Sequence, residues 1–162
     1  MSRPVRTVLD LPGGVETAWA VLAGDAWPAA LDAALHDGSE LVSCEPTADG
    51  GRVVVVRRRL PEPPAFLSRV APMDGRVTQT DRWGPARDGT RGGTWEVASP
   101  GSPGDVRGEM LLEPAGSGCR WTVTGTVSVA IPLLGGRAES FLAPLVERLV
   151  ARQGEVLRGR LA

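Results

Sequence analysis

Few side chains of this 162-residue chain could carry out chemistry, and they do not form a recognisable catalytic pattern. His36 is the only histidine, and it stands beside Asp37 and Gly38 at the predicted end of a short helix. A general base must reach a substrate proton and usually has an orienting partner, and no Ser/His/Asp arrangement can be assigned here. We therefore expect His36 to face solvent.

Three consecutive arginines, Arg57, Arg58 and Arg59, lie in a predicted strand. Because successive strand side chains point to opposite faces, Arg58 shares the face of the apolar residues of its strand if those form the core side. It could then pair with Asp81 of the neighbouring strand inside a cavity and anchor a carboxylate or phosphate group. The alternative, which we favour from the sequence, puts these charges at the rim of the sheet in water.

Tryptophan dominates the aromatic residues, with five tryptophans against two phenylalanines and no tyrosine. Trp83, Trp95 and Trp121 fall in predicted strands. An indole combines a large apolar surface with one N–H donor, which suits a cavity wall, although core packing is its more common role. The same two interpretations apply to Met110.

Composition excludes several classes of function. The formal net charge is -1 and the 18 basic residues, all arginine, are dispersed, so we predict no nucleic-acid partner and read the arginine bias as that of a GC-rich genome. One histidine and two distant cysteines, Cys44 and Cys119, make a poor metal ligand set, and we predict neither a metal nor a cofactor. We expect both cysteines to be buried thiols.

Neither a signal peptide nor a membrane-spanning stretch is predicted. Residues 1–14 lack the apolar core of a signal peptide, and no run of 18 apolar residues exists. We expect a cytoplasmic protein without integral membrane association, and the sequence does not indicate its oligomeric state.

Turn residues and apolar spacing predict one strand, two short helices, six strands and one long helix. The first strand is 3–11, and the short helices begin at Val15 and at a cap on Asp25. The predicted strands that follow are 39–46, 51–60, 76–83, 92–99, 105–113 and 118–131. Residues 61–72 are interpreted either as a lid over a cavity or as a short helix packed for stability alone.

The long helix, within residues 133–162, has an apolar stripe formed by Leu134, Ala138, Phe141, Leu145, Leu149 and Val156. A run of meandering strands cannot bury its apolar face alone, so this helix is expected to cover the sheet. A helix about 10 Å across does not fill a wide concave sheet, which indicates a cavity between the two. We therefore predict an α+β fold and a single domain over residues 1–162.

The chain resembles the START-like, or SRPBCC, superfamily. The resemblance rests on the first strand, on PGGVETAWAVL (12–22), on VTQTDRWG (77–84) and on VAIPLLGGRAE (129–139) before the final helix. It is similar to a bacterial branch of unknown function. The resemblance implies a helix-grip fold, with a curved antiparallel sheet of about seven strands around a long C-terminal helix. It also implies a deep cavity for hydrophobic ligands such as lipids, sterols or polyketides.

The sequence thus predicts a protein that binds or transports a hydrophobic or amphipathic small molecule or lipid. Two alternatives stay open: a cyclase- or hydrolase-like enzyme using the same cavity, with Asp81, Glu96 or His36 as its acid or base, and an interaction module with a filled cavity. Whether the protein is an enzyme is left open, and no catalytic residue is assigned. The residues predicted to line the cavity are Val56, Arg58, Gln79, Asp81, Trp83, Trp95, Val97, Met110, Trp121, Val123, Phe141 and Leu145.

Overall fold

A computed structural model of the chain describes residues 2–68, 75–99 and 101–162. In these ranges one antiparallel sheet has the strand order β1-β7-β6-β5-β4-β3-β2. The strands are β1 (Arg3–Leu11), β2 (Glu40–Pro46), β3 (Arg52–Arg59), β4 (Arg76–Arg87), β5 (Thr90–Ala98), β6 (Gly104–Ala115) and β7 (Gly118–Val129). The helices are α1 (Val15–Leu22), α2 (Trp27–Leu35) and α3 (Gly135–Leu161), with one 3₁₀ turn at Ala65–Leu67.

The predicted order of elements is confirmed, and the main difference in a strand boundary lies at the end of β4. We expected residues 84–89 to separate two strands, whereas β4 continues to Arg87 and pairs it with Thr90. The turn between them is Asp88-Gly89, with φ angles of 52° and 77°. Positive φ at both central residues matches the twist of a two-residue hairpin, and Asp-Gly is a preferred sequence for it.

The second short helix begins differently from the prediction. Its N-cap is Ala26, without a side-chain hydrogen bond, so the expected cap on Asp25 is wrong. Pro28 lies in the first turn, where its missing N–H does least harm. The helix ends at His36, whose φ of 53° is left-handed and whose N–H donates to the carbonyl oxygen of Asp32 at 2.8 Å.

Trp95 lies across β6 and β7, where two glycines leave room for its ring. Gly108 and Gly125 are register partners, and a Cβ built on Gly125 would lie 2.7 Å from Cζ2 of Trp95. The indole N–H donates to the carbonyl oxygens of Thr124 at 3.1 Å and Glu109 at 3.3 Å. The ring therefore covers the inner face of both strands and has its polar atom satisfied.

Arg91 connects α1 to the sheet through hydrogen bonds. Its Nε and Nη2 donate to the two carboxylate oxygens of Glu16 at 2.8 Å each, and its Nη1 donates to the carbonyl oxygens of Gly50 and Gly84. Its guanidinium stacks on Trp19 at 3.7 Å. The hydrogen bond from Arg91 lowers the pKa of Glu16.

α3 packs along β1 and β7 at two close contacts. Near its start, the buried carboxylate of Glu139 accepts a hydrogen bond from the backbone N–H of Val129 at 2.8 Å. Near its end, Gly154 lies so close to Leu9 that a Cβ there would be 2.5 Å from Leu9 Cδ1. No helix in the described part of the chain combines the length and the apolar character that crossing a membrane requires.

Candidate functional site: a cavity between sheet and helix

A cavity of about 430 Å³ lies between the inner face of the sheet and the helices α2 and α3. This volume is within the range of about 300–1,000 Å³ that small-molecule sites occupy. Most of its wall is apolar, and the tryptophans of the wall are Trp27, Trp83, Trp95 and Trp121. The inner face of the sheet is thus lined by large rings that leave the centre open.

α3 contributes one continuous stripe to this wall. The stripe consists of Leu142, Leu145, Val146, Leu149, Val150 and Gln153, at helical spacings of three and four. The predicted stripe shares only Leu145 and Leu149 with it. Of the other predicted members, Ala138 is buried in the core without lining the cavity, because α3 also packs against β1 and β7.

Of the residues predicted to line a cavity, the structure brings ten to this wall: Arg58, Gln79, Asp81, Trp83, Trp95, Val97, Met110, Trp121, Val123 and Leu145. The other two lie elsewhere. Val56 is buried in the core, and Phe141 packs edge-on against Phe66 with ring centroids 6.4 Å apart. Which of these residues contact a ligand stays a prediction.

Arg58 lies in the cavity wall, so the expectation that it sits in water at the rim is wrong. Its side chain is only 12% exposed. Its Nη1 comes no closer to a carboxylate than 3.9 Å, at Asp37 Oδ2, and its buried Nε has no hydrogen-bond partner among the described residues. Burial lowers the pKa of Arg58, while Asp81 and Asp37 raise it in part.

Asp81 is the second charged group of the inner wall. It does not pair directly with Arg58, because Arg58 is in register with Val77 and Asp81 with Val54, four residues nearer the start of β3. Instead, Asp81 Oδ1 accepts a hydrogen bond from Gln79 Nε2 at 2.8 Å. Burial raises the pKa of Asp81, and the donor of Gln79 and the charge of Arg58 oppose this rise.

Two tryptophans of the wall also carry buried N–H groups that are unpaired within the described ranges. The indole N–H groups of Trp83 and Trp121 are buried without a hydrogen-bond acceptor among the described residues. Buried donors are normally paired, so each of these two groups requires an acceptor such as an ordered water.

The sequence reasoning missed the turn that follows α2. Asp37 faces Arg58, and its carbonyl oxygen accepts the backbone N–H of Arg59 at 3.0 Å. A Cβ on Gly38 (φ 67°) would lie 3.2 Å from Arg59 Cβ, so the turn packs directly on β3. The Asp-Gly pair marks a turn, but its contact with β3 depends on how α2 packs.

The other candidate acids and bases lie less favourably. Glu96 is exposed on the outer face, in register with Thr80 and Arg107, so it cannot serve as the candidate acid or base of this cavity. His36 is exposed, although it contributes to the cavity edge. In the described part of the chain, no three His, Cys, Asp or Glu side chains come together as metal ligands.

The segment after β3 is held against α3. Phe66 packs on Phe141, and the guanidinium of Arg137 lies 4.1 Å from the centre of the Phe66 ring. Leu67 is buried. Leu60 and Pro61 contribute to the cavity wall. The rest of the expected lid, residues 69–72, lies outside the described residues, so the choice between lid and packed helix stays open.

Known proteins match this chain over nearly its whole length. A family model described as "Protein of unknown function (DUF2505)" matches residues 7–161. The proteins named Uncharacterized protein Mb0491c of Mycobacterium bovis and Rv0481c of Mycobacterium tuberculosis are each 26% identical over 159 residues. The match spans 93% of this chain and 91% of theirs.

Solved structures share the fold. TTHA0849 from Thermus thermophilus is similar with a TM-score of 0.61 and 18% identity, covering 98% of this chain and 97% of its own. Norcoclaurine synthase from Thalictrum flavum has a TM-score of 0.62 and 11% identity, and the match covers 99% of this chain and 87% of the synthase chain. Human STARD10 has a TM-score of 0.61 and 11% identity, and the match covers 95% of this chain and 62% of the STARD10 chain. These likenesses show the fold alone, and they confirm a START-like helix-grip fold.

Proposed function

The chain belongs to the DUF2505 family, and from its cavity we propose that it binds and carries a hydrophobic or amphipathic small molecule between its sheet and α3. The observation that carries this proposal is the apolar cavity of about 430 Å³, with the largely buried guanidinium of Arg58 in its wall. An open volume of this size counts against the alternative of a filled cavity. A norcoclaurine synthase of the same fold was solved in complex with dopamine and hydroxybenzaldehyde.

The first test is native mass spectrometry of the purified protein, with an organic extract of the same sample analysed for small molecules. We expect a stoichiometric mass excess that disappears on extraction. The emptied protein should then bind N-phenyl-1-naphthylamine, an uncharged dye that fluoresces in apolar surroundings. A bare protein mass together with no dye binding would contradict the proposal.

A matched pair of variants locates the bound molecule. Val97 lines the cavity, and its chain neighbour Glu96 is exposed on the opposite face of β5. We expect Val97→Phe to fill part of the cavity and weaken dye binding, and Glu96→Phe to leave it unchanged. Equal effects of both substitutions would place the dye on the outer surface.

Asp81 favours one second candidate, an enzyme of the hydrolase or cyclase type that uses the same cavity. Burial raises the pKa of Asp81, and the acids and bases of enzymes often have pKa values shifted by burial in this way. The candidate requires that Asp81→Asn abolish turnover of the extracted molecule while leaving its binding intact. Recovery of that molecule unchanged after long incubation with the wild-type protein would exclude it.

A further inference from the structure

Arg58 has more hydrogen-bonding capacity than its surroundings use. A guanidinium offers five N–H donors in a planar fork and stays charged when buried. Here the Nε is buried and unpaired among the described residues, and the nearest carboxylate oxygen, at 3.9 Å, lies beyond hydrogen-bond distance. A largely buried charge without a close counter-ion is costly, and the Arg58 side chain still lines the cavity with 12% of its surface exposed, so an oxyanion in the cavity would stabilise the guanidinium.

The charges around Arg58 favour an anion over a cation. Among the described residues, Arg59 and Arg152 also line this cavity, and its acidic residues are Asp37 and Asp81. The formal balance is therefore positive, and it becomes more positive whenever Asp81 holds a proton, which its raised pKa favours. Asp37 is already close to Arg58, but its Oδ1 is engaged with the backbone N–H of Ser39.

The dimensions suit one hydrocarbon chain. A volume of 430 Å³ corresponds to roughly 14 water molecules at about 30 Å³ each, and a methylene group occupies a similar space. Arg58 is in register with Val77, and Trp83 is in register with Arg52, which lies six residues before Arg58 in β3. At about 3.3 Å per residue these rows are roughly 20 Å apart, which a chain of about a dozen carbon atoms can span in part.

Resting on the proposed function, we propose that the ligand is an amphipathic carboxylate, with its head group held by Arg58 and its single apolar chain directed towards Trp83, Met110 and Trp121. A carboxylate matches the planar guanidinium fork with two parallel hydrogen bonds. The tail then lies among the indole rings, where a polar terminus would be desolvated. Arg58 thus determines which end of the ligand faces the turn after α2.

The experiment measures displacement of N-phenyl-1-naphthylamine by dodecanoate and by 1-dodecanol, which share the chain and differ in the charged head. The proteins are the wild type, Arg58→Gln and the control Arg57→Gln, whose side chain is exposed on the other face of the same strand. We expect Arg58→Gln to weaken the binding of dodecanoate about 10- to 100-fold, because charge-assisted hydrogen bonds are lost. The affinity for 1-dodecanol should change less than about threefold. Arg57→Gln should change neither.

Three outcomes would overturn the inference. If Arg58→Gln weakens the binding of both compounds equally, Arg58 shapes the cavity without recognising charge. If it weakens the binding of neither compound, Arg58 does not contact the head group. In both cases dye binding persists and the proposed function survives. If the wild type binds neither the dye nor the competitors, the proposed function fails and this inference fails with it.

A second variant keeps the test decisive if Arg58→Gln does not fold. Asp37→Asn removes the negative charge nearest to Arg58 and leaves the guanidinium in place. We expect this variant to bind dodecanoate more tightly than the wild type and to bind dodecanol unchanged. Weaker binding of dodecanoate alone would show that Asp37, rather than Arg58, favours the head group, and would overturn the inference.

Discussion

Asp81 presents a carboxyl group to the cavity and accepts a hydrogen bond there from Gln79. Because burial raises its pKa above the ordinary value of 3.8, the folded protein keeps this proton at pH values where the unfolded chain has lost it. In the described part of the chain, the charged groups that share the cavity are Asp37, Arg58, Arg59 and Arg152, with His36 at its edge. Ionisation of Asp81 therefore weakens the fold as the pH rises from about 3.8 through the raised pKa.

Asp81→Asn should remove this pH dependence. Asparagine keeps an oxygen that can accept the hydrogen bond of Gln79 and does not ionise. We expect its free energy of unfolding to exceed that of the wild type at pH 7, with the difference shrinking towards pH 4. Urea denaturation between pH 4 and 8 measures it, with the exposed Asp25→Asn as the control. A difference that stays constant over this range would contradict the expectation.

Gly125 should not tolerate a side chain. Alanine there would meet the Trp95 ring at 2.7 Å and also the carbonyl oxygen of Arg107. Overpacking of this kind costs about 1–3 kcal/mol, and we expect that loss from Gly125→Ala in urea denaturation. Gly92 is the control, because a Cβ there has ordinary contacts of 3.9 Å or more. Equal stability of the two alanine variants would show that the Trp95 ring moves freely.

Single residues also mark where sequence reasoning succeeds and fails. Strand alternation correctly placed Arg58 on the same face as Val54 and Val56, both buried in the structure. It could not tell whether that position lies at the rim or inside. This depends on how far the turn carrying Asp37 covers the end of β3, a contact between segments distant in sequence.

At the scale of elements, α1 depends on one buried arginine. Arg91 satisfies two backbone carbonyl oxygens and both oxygens of Glu16, and a lysine, with its single compact charge, cannot reproduce this fork. We expect Arg91→Lys to lower the free energy of unfolding by about 2 kcal/mol, since the paired hydrogen bonds to Glu16 and the bonds to the two carbonyl oxygens would be lost.

The matched control for Arg91→Lys is an arginine in an exposed ion pair. Arg107 contacts Asp105 at 2.8 Å, with both side chains more than half exposed. Exposed pairs contribute about 0–1 kcal/mol, so Arg107→Lys should have little effect in the same thermal or urea unfolding experiment. Comparable decreases in the free energy of unfolding of the two variants would mean that Arg91 acts only as a surface charge.

The elements themselves could be predicted where the periodicity is unambiguous. Apolar residues alternate regularly in 118–131, which predicted β7, and the strand ends at Val129. The residue types of Asp88-Gly89 favour a tight turn, but the pair lies in a glycine-rich segment in which its exact position was missed. The bidentate pair of Arg91 with Glu16, 75 residues apart, could not be predicted, because it requires knowing how α1 docks on the sheet.

At the scale of the molecule, ligand binding should stabilise the whole fold. α3, α2 and the sheet all contribute to the cavity wall, so a bound molecule contacts elements that separate on unfolding. A ligand at 100 times its Kd adds about 2.7 kcal/mol to the free energy of unfolding. For a chain of this size we expect dodecanoate to raise the Tm by about 5–10 °C.

Differential scanning calorimetry with increasing dodecanoate measures this shift. Arg58→Gln is the comparison, and its Tm should respond only at about 10- to 100-fold higher concentrations. A wild-type Tm that falls with dodecanoate would indicate binding to the unfolded chain, and would contradict the expectation.

The tryptophan lining has an optical consequence. Four of the five indoles border the cavity, and the chain has no tyrosine, so ultraviolet emission comes mainly from the cavity wall. Indole emission moves to shorter wavelength when water around the ring is replaced by hydrocarbon. The tryptophan emission maximum of the protein should therefore shift to shorter wavelength as its cavity fills. Ligand titrations can be followed by this shift without any label.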